Sequence, residues 1–151
     1  MTQSLPPKHL VLYADDDQED IELISEAFLC YSHNIELMTF SDGIELLNFI
    51  ETINPFQANP CLLILDINMP RLNGKETLRR LRKTEGFAEV PAVLFSTSSL
   101  PSDAAFAKNL NAGFITKPLH SHQMHLIVDL LLDHCSDDVK KNIRKTNGSG
   151  N

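Results

Sequence analysis

The sequence predicts one α/β domain built on a single open, doubly wound parallel sheet of five strands. Three observations lead there. The run Cys61-Leu62-Leu63-Ile64-Leu65 is continuously apolar, as a strand covered on both faces must be, and it ends on a lone carboxylate, Asp66. Short apolar runs alternate with amphipathic stretches along the whole chain. That order demands right-handed crossovers and a mainly parallel sheet with helices on both faces. Five strand–helix repeats are also too few to close an eight-stranded barrel.

The elements follow in order. His9 to Ala14 reads as a short apolar strand, followed by Asp15-Asp16-Asp17. Gln18 to Tyr31 carries Ile21, Ile24, Ala27 and Phe28 on one helical face. Asn34 to Phe40 alternates like a strand. Ser41 or Asp42 then caps a helix to about Ile53, and Asp42 with Glu45 has capping-box spacing. Asn54 to Pro60, bracketed by prolines, reads as a surface loop into the Asp66 strand. Gly74 opens a helix over Lys75 to Lys83, ended near Gly86. Pro91 to Ser96 is the fourth strand, and Ser102 caps a helix to about Leu110. Gly113 to Thr116 is a fifth, very short strand before Lys117-Pro118. A last helix spans roughly Ser121 to His134, with Met124, Ile127, Val128, Leu131 and Leu132 inward. Ser136 caps a further turn or helix, and Thr146 to Asn151 reads as a frayed tail. The expected division is a flexible start at 1–7, one domain at 8–135 and an extension at 136–151.

Bulk properties narrow the function. The chain has 151 residues, 42% hydrophobic and 22% charged, as ordinary globular domains do. A net charge of -7 argues against a phosphate-backbone binder and against an anionic membrane surface. The basic group Arg79, Arg80, Arg82 and Lys83 reads as the solvated side and last turn of one helix, where cations suit the dipole. Cys30, Cys61 and Cys135 are too scattered for a zinc knuckle and read as free thiols. Residues 1–8 lack the apolar core of a signal peptide, so the expected location is the cytoplasm.

Four strand ends carry polar groups: Asp15 and Asp16, then Asp66, then Ser96 and Thr97, then Lys117. In a parallel sheet these ends share one edge, where ligands of open α/β folds bind. Three carboxylates in one cleft repel unless a cation neutralises them. Mg²⁺ suits such a set, with Mn²⁺ the alternative, and the backbone carbonyl of Asn68 can add a ligand. A carboxylate beside the metal and a lysine is a plausible nucleophile toward phosphorus. Singly, each group has a plainer reading. Asp15 to Asp17 suits a helix N-terminus, Asp66 an Asx turn and Lys117 a solvated surface. His120, His122 and His125 read as solvated residues in preference to a metal site.

With these four groups in order, residues 8 to 135 resemble a response regulator receiver domain, the phosphoacceptor module of two-component signalling. The resemblance rests on Asp15-Asp16, on Asp66-Ile67-Asn68-Met69-Pro70-Arg71-Leu72-Asn73-Gly74, on Ser96-Thr97 and on Lys117-Pro118. It implies a flavodoxin-like fold with strand order 2-1-3-4-5. It further implies phosphorylation of Asp66 by a sensor histidine kinase or a histidine phosphotransfer protein. Asp15, Asp16, Asp66 and the Asn68 carbonyl would hold Mg²⁺, and Lys117 would pair with the phosphoryl group. Ser96 would be the switch hydroxyl, Phe114 the switch aromatic, and Lys117-Pro118 a cis peptide. The Asp66 turn and its long preceding loop also resemble single-domain regulators paired with phytochrome-type kinases. Departures are Ser96, where threonine is commoner, the third acid Asp17, which competes as a metal ligand, and a slightly short segment before Phe114.

Other functions fit less well. A phosphohydrolase of the haloacid-dehalogenase type needs an acid two residues after its nucleophile, where this chain has Asn68. A docking module that has lost phosphorylation would lack one of the acids, the hydroxyl or the lysine. Residues 136–151 are too few for a DNA-binding domain, so output is expected through an unknown downstream protein or a self-dimer. The expected surface joins the fourth helix, fifth strand and last inward-facing helix.

Overall fold

A computed structural model describes residues 8–53 and 60–148. The five strands are β1 (His9–Ala14), β2 (Ile35–Phe40), β3 (Leu62–Leu65), β4 (Ala92–Ser96) and β5 (Gly113–Thr116). They form one parallel sheet in the order β2-β1-β3-β4-β5, the expected flavodoxin-like arrangement. The helices are α1 (Gln18–Phe28), α2 (Gly43–Thr52), α3 (Gly74–Arg82), α4 (Pro101–Asn109), α5 (Ile127–Leu132) and α6 (Asp137–Gly148).

Strand periodicity splits the core in two, because successive side chains point to opposite faces. Val11, Tyr13, Leu62, Ile64, Val93 and Phe95 meet α1, α5 and Ile143 of α6 on one face. Leu12, Ala14, Leu63, Leu65, Ala92 and Leu94 meet α2, α3 and Ala107 of α4 on the other. All four residues of β3 are buried, which explains its unbroken apolar run. That burial leaves Asp66 as the first polar residue at the strand's carboxyl end.

Several boundaries differ from expectation. Helix α4 begins at Pro101, with Leu100 at the cap, and Ser102 lies within the first turn. Proline has a fixed φ and no amide hydrogen, so it suits a first helical position and draws the start forward. The last inward helix is not regular. Ser121–Leu126 is 3₁₀ and only Ile127–Leu132 is α. His125 Nδ1 lies 2.7 Å from the His122 carbonyl, the acceptor that the Leu126 amide would need in an α-helix. Helix α6 runs to Gly148 where a frayed tail was expected from Thr146, because Ser136 bonds the Val139 amide and Ile143 is buried in the core. The Lys117-Pro118 peptide, expected cis, is trans. The X-Pro preference is small, and the chain here runs straight out to Leu119, 96% exposed. The loop expected at Asn54 to Pro60 lies largely outside the described residues, as do 1–7 and the last three residues.

The basic group on α3 is not wholly solvated. Arg82 turns inward and donates to four carbonyls: Leu110 at 2.8 Å, Phe87 at 3.1 Å, Val90 at 2.7 Å and Asn111 at 3.3 Å. These lie in the segments entering β4 and β5, whose carbonyls no ladder satisfies. A guanidinium with five fixed donors can serve them together, and the absence of ladder partners there draws it inward.

Candidate functional site

The polar strand ends converge on the carboxyl edge. The Asp15 amide donates to Phe40 and the Asp66 amide to Ala14, so both residues extend the sheet by one ladder position. Asp15 is fully buried and Asp66 nearly so, while Asp16 is exposed. Asp15, Asp16 and Asp66 each offer a carboxylate oxygen within 4.8 Å of the others. Lys117 crosses from the end of β5 and places Nζ 2.7 Å from Asp15 Oδ2 and 3.6 Å from Asp66 Oδ1. Its own amide donates to the Ser96 carbonyl at 2.7 Å, which fixes the β5 end beside the β4 end.

Ser96 is fully buried on β4, and its Oγ accepts the Ser98 amide at 3.3 Å. Asn68 lies exposed in the turn after Asp66. Phe114 is half-buried on β5 and packs on the α2–α4 side of the core. Asp17 does not join the acid cluster found here. Its carboxylate accepts the Glu19 and Asp20 amides at 3.0 and 3.3 Å, so it caps α1.

Two partners escaped the sequence reading. Asp20 Oδ2 lies 2.8 Å from Lys117 Nζ, and the Tyr13 hydroxyl donates to Asp15 Oδ2 at 2.5 Å. Both had a positional signal. Tyr13 and Asp15 are two apart and share a strand face, and Asp20, in the first turn of α1, leans back toward the helix start.

The turn from Asp66 into α3 is pinned at both ends. A Cβ on Gly74 would lie 2.1 Å from the Asp66 carbonyl oxygen, so only glycine lets α3 start this close to β3. Arg71 adopts φ 63° and bonds Asp42 through Nε at 2.8 Å and Nη2 at 2.7 Å, tying the turn to the cap of α2. Gly74→Ala is therefore expected to cost about 2–3 kcal/mol, from backbone that cannot yield without moving Asp66. Urea denaturation measures the loss. A variant as stable as the parent would show that the turn is adaptable.

Electrostatics follow from this crowding. Burial, then the charge of Asp15, push the Asp66 carboxyl up to about 7, although Lys117 pulls it down. Burial acts to lower the Lys117 ammonium, but hydrogen bonds to Asp15 and Asp20 outweigh it and hold it above its usual value. Burial and Asp15 raise the Tyr13 phenol, which stays neutral and donates. An all-oxygen set with more acid than base fits a hard divalent cation such as Mg²⁺ or Mn²⁺. It offers no soft ligand.

Comparison with known proteins agrees with this geometry. The family described as response regulator receiver domain matches residues 11–129. The response regulator Rcp1 of Synechocystis sp. is 26% identical over 76% of this chain and 80% of its own length. The phosphorylated cyanobacterial phytochrome response regulator RcpA superposes with a TM-score of 0.77 at 25% identity, over 87% of this chain and 96% of that one. Rcp1 in its Mn²⁺-bound form superposes with a TM-score of 0.73 at 23% identity, over 84% of this chain and 93% of that one.

Proposed function

The chain belongs to the response regulator receiver family, and from that premise we propose that it is a stand-alone response regulator that accepts a phosphoryl group on Asp66. The donor is a sensor histidine kinase or a histidine phosphotransfer protein, of phytochrome type by analogy with RcpA. The observation that carries this reading is a nearly buried carboxylate, Asp66, set between two further acids and the Lys117 ammonium. This chain covers 80% of the length of Rcp1 and 96% of that of RcpA, which supports reading it by analogy with those regulators.

Asp15, Asp16, Asp66 and the Asn68 carbonyl would hold Mg²⁺, which neutralises charge on phosphoryl oxygens when bound. An Asp66 oxygen attacks phosphorus in line with the leaving nitrogen of phosphohistidine. The P–N bond breaks, an acyl phosphate forms and the histidine keeps the electron pair. Lys117 shifts from Asp15 to a phosphoryl oxygen, and Ser96 Oγ donates to another. Phe114 then turns inward into space that Ser96 vacates. The new charge of about -1.5 to -2 biases the surface of α4, β5 and α5 between two arrangements. The same site assists attack of water on the acyl phosphate, so the domain contributes to its own dephosphorylation.

Output runs by protein contact, through a downstream partner or a self-dimer, and not through nucleic acid or membrane. Exposed Leu100, Leu119, Leu126 and Leu130 offer apolar area for such a contact. Among the described residues no helix is long and apolar enough to cross a membrane; the cytoplasm is the proposed place of work.

Phosphotransfer profiling against the histidine kinases of the source organism tests the assignment. Rapid Mg²⁺-dependent transfer from one kinase is expected, and transfer from none would refute it. Asp16→Ala is expected to weaken Mg²⁺ binding at least about tenfold, whereas Asp17→Ala, which removes a helix cap, changes it little. Calorimetric titration of both variants decides this. Equal losses would place Asp17 in the metal shell.

A further inference from the structure

Helix α4 starts without a cap of its own. Leu100 stands at the cap position, and its side chain bonds nothing in the first turn. The first turn is tied instead to the residues upstream of it. Ser98 Oγ accepts the Leu100 amide at 3.2 Å and donates to Asp103 Oδ2 at 2.5 Å. The buried Asp103 carboxylate also takes the Lys75 ammonium of α3. Lys75 Nζ and the Arg79 guanidinium lie 5.4 and 5.3 Å from the Phe106 ring centre, so two α3 cations rest on an α4 aromatic. At its other end Ser98 touches the switch. Its amide donates to Ser96 Oγ at 3.3 Å, and its carbonyl accepts the Thr116 hydroxyl at 3.3 Å.

One serine thus joins the β4 hydroxyl to β5, to α4 and, through Asp103, to α3. The links differ in strength. Those at Asp103 are charge-assisted, while the Ser98 amide to Ser96 Oγ is long and weak. Turning Ser96 Oγ toward a phosphoryl oxygen on Asp66 withdraws it from the Ser98 amide and shifts the loop that carries Ser98. The contacts around Asp103, which tie Ser98 to α4 and α3, would oppose that shift. A group that favours one arrangement opposes any ligand that selects the other.

We propose that Ser98, Asp103 and Lys75 are positioning residues: a latch that holds the first turn of α4 and its seam with α3, and so sets how readily Ser96 engages a phosphoryl group. This rests on the roles given to Asp66 and Ser96 above. It makes the α3–α4 seam a regulated surface in addition to the face of α4, β5 and α5. It also means that loosening the latch tightens phosphoryl binding, by reciprocity of coupling.

The test uses Mg²⁺ with beryllofluoride, a phosphoryl mimic, on the full chain. Asp103→Asn and Lys75→Met are each expected to bind beryllofluoride about tenfold more tightly than the parent, within the usual span of coupling between sites. Ser98→Ala behaves likewise, and Ser98→Thr, which keeps the hydroxyl, returns to the parent value. Amide exchange at Leu100, Asp103 and Ala104 accelerates on beryllofluoride binding in the parent, and is already fast and unresponsive in Ser98→Ala. A merely structural cap would lower stability without raising affinity. Unchanged or weaker affinity in both Asp103→Asn and Lys75→Met overturns the latch, while parental binding at Asp66 shows that the phosphoacceptor reading stands. Absence of beryllofluoride binding in the parent overturns both.

Discussion

Incubated with acetyl phosphate and Mg²⁺, the protein is expected to gain one phosphoryl group, and Asp66→Asn to gain none. Of the carboxylates in the cleft, Asp15 already serves three donors. One of its oxygens accepts the Asp17 amide, and the other takes both the Tyr13 hydroxyl and the Lys117 ammonium. Asp16 is exposed to water, which stabilises its charge without orienting it. Asp66 is held in place by its ladder bond to Ala14, has Lys117 at a looser 3.6 Å and therefore has oxygen lone pairs to spare for phosphorus. Asparagine keeps the volume of that side chain and removes the nucleophilic oxygen, so the loss should be complete and not graded. Intact-mass spectrometry reads it directly. An adduct that persists in Asp66→Asn, or that forms equally well in EDTA, would overturn the assignment.

The second large effect concerns stability. Arg82→Ala is expected to destabilise the fold by about 2–3 kcal/mol, because bonds to a charged donor contribute about 1.5–3 kcal/mol each and are not additive at a half-buried site. Its four acceptors lie in the connections into β4 and β5, and without the guanidinium they need water in a closed place. For a chain of this size the loss corresponds to a fall in Tm of roughly 6–10 °C. Lysine should recover little, since a single ammonium cannot span carbonyls contributed by two connections. Arg80→Ala is the control, as Arg80 is largely exposed and its pairing with Glu76 is a loose 3.5 Å. Equal melting temperatures for the Arg82 and Arg80 variants would refute the account.

The sequence made β1, β3 and β4 legible because burial leaves an apolar run in each and because each run ends in a polar residue, while β2 was legible from its alternation. It made the acid cluster legible because parallel strands carry all their carboxyl ends to one edge. It did not reveal groups whose role depends on how an element sits. Asp20 reaches Lys117 only because α1 docks with its first turn over the cleft. Arg82 is indistinguishable in sequence from its solvated neighbours Arg79 and Arg80 until the connections that need its donors are placed. The cap of α4 was misassigned to Ser102 because local rules favour the nearest hydroxyl, whereas Pro101 starts the helix one residue earlier, with Leu100 at the cap position and no side-chain cap bond. The 3₁₀ start of the last inward helix brings a histidine ring to the His122 carbonyl, a contact that no periodicity records.

The reach of Lys117 has a consequence for how the domain meets its metal. Its ammonium bridges β1, α1 and β3 through Asp15, Asp20 and Asp66, so the fold carries a built-in counter-ion on a tether. Part of the cleft's negative charge is thus balanced from within the chain itself. Loading becomes a competition between an incoming ion and a resident one for shared carboxylates. Such a competition weakens the apparent affinity for the ion. On the reading proposed above, entry of the ion would free Lys117 from shared carboxylates and leave its ammonium available to the phosphoryl group.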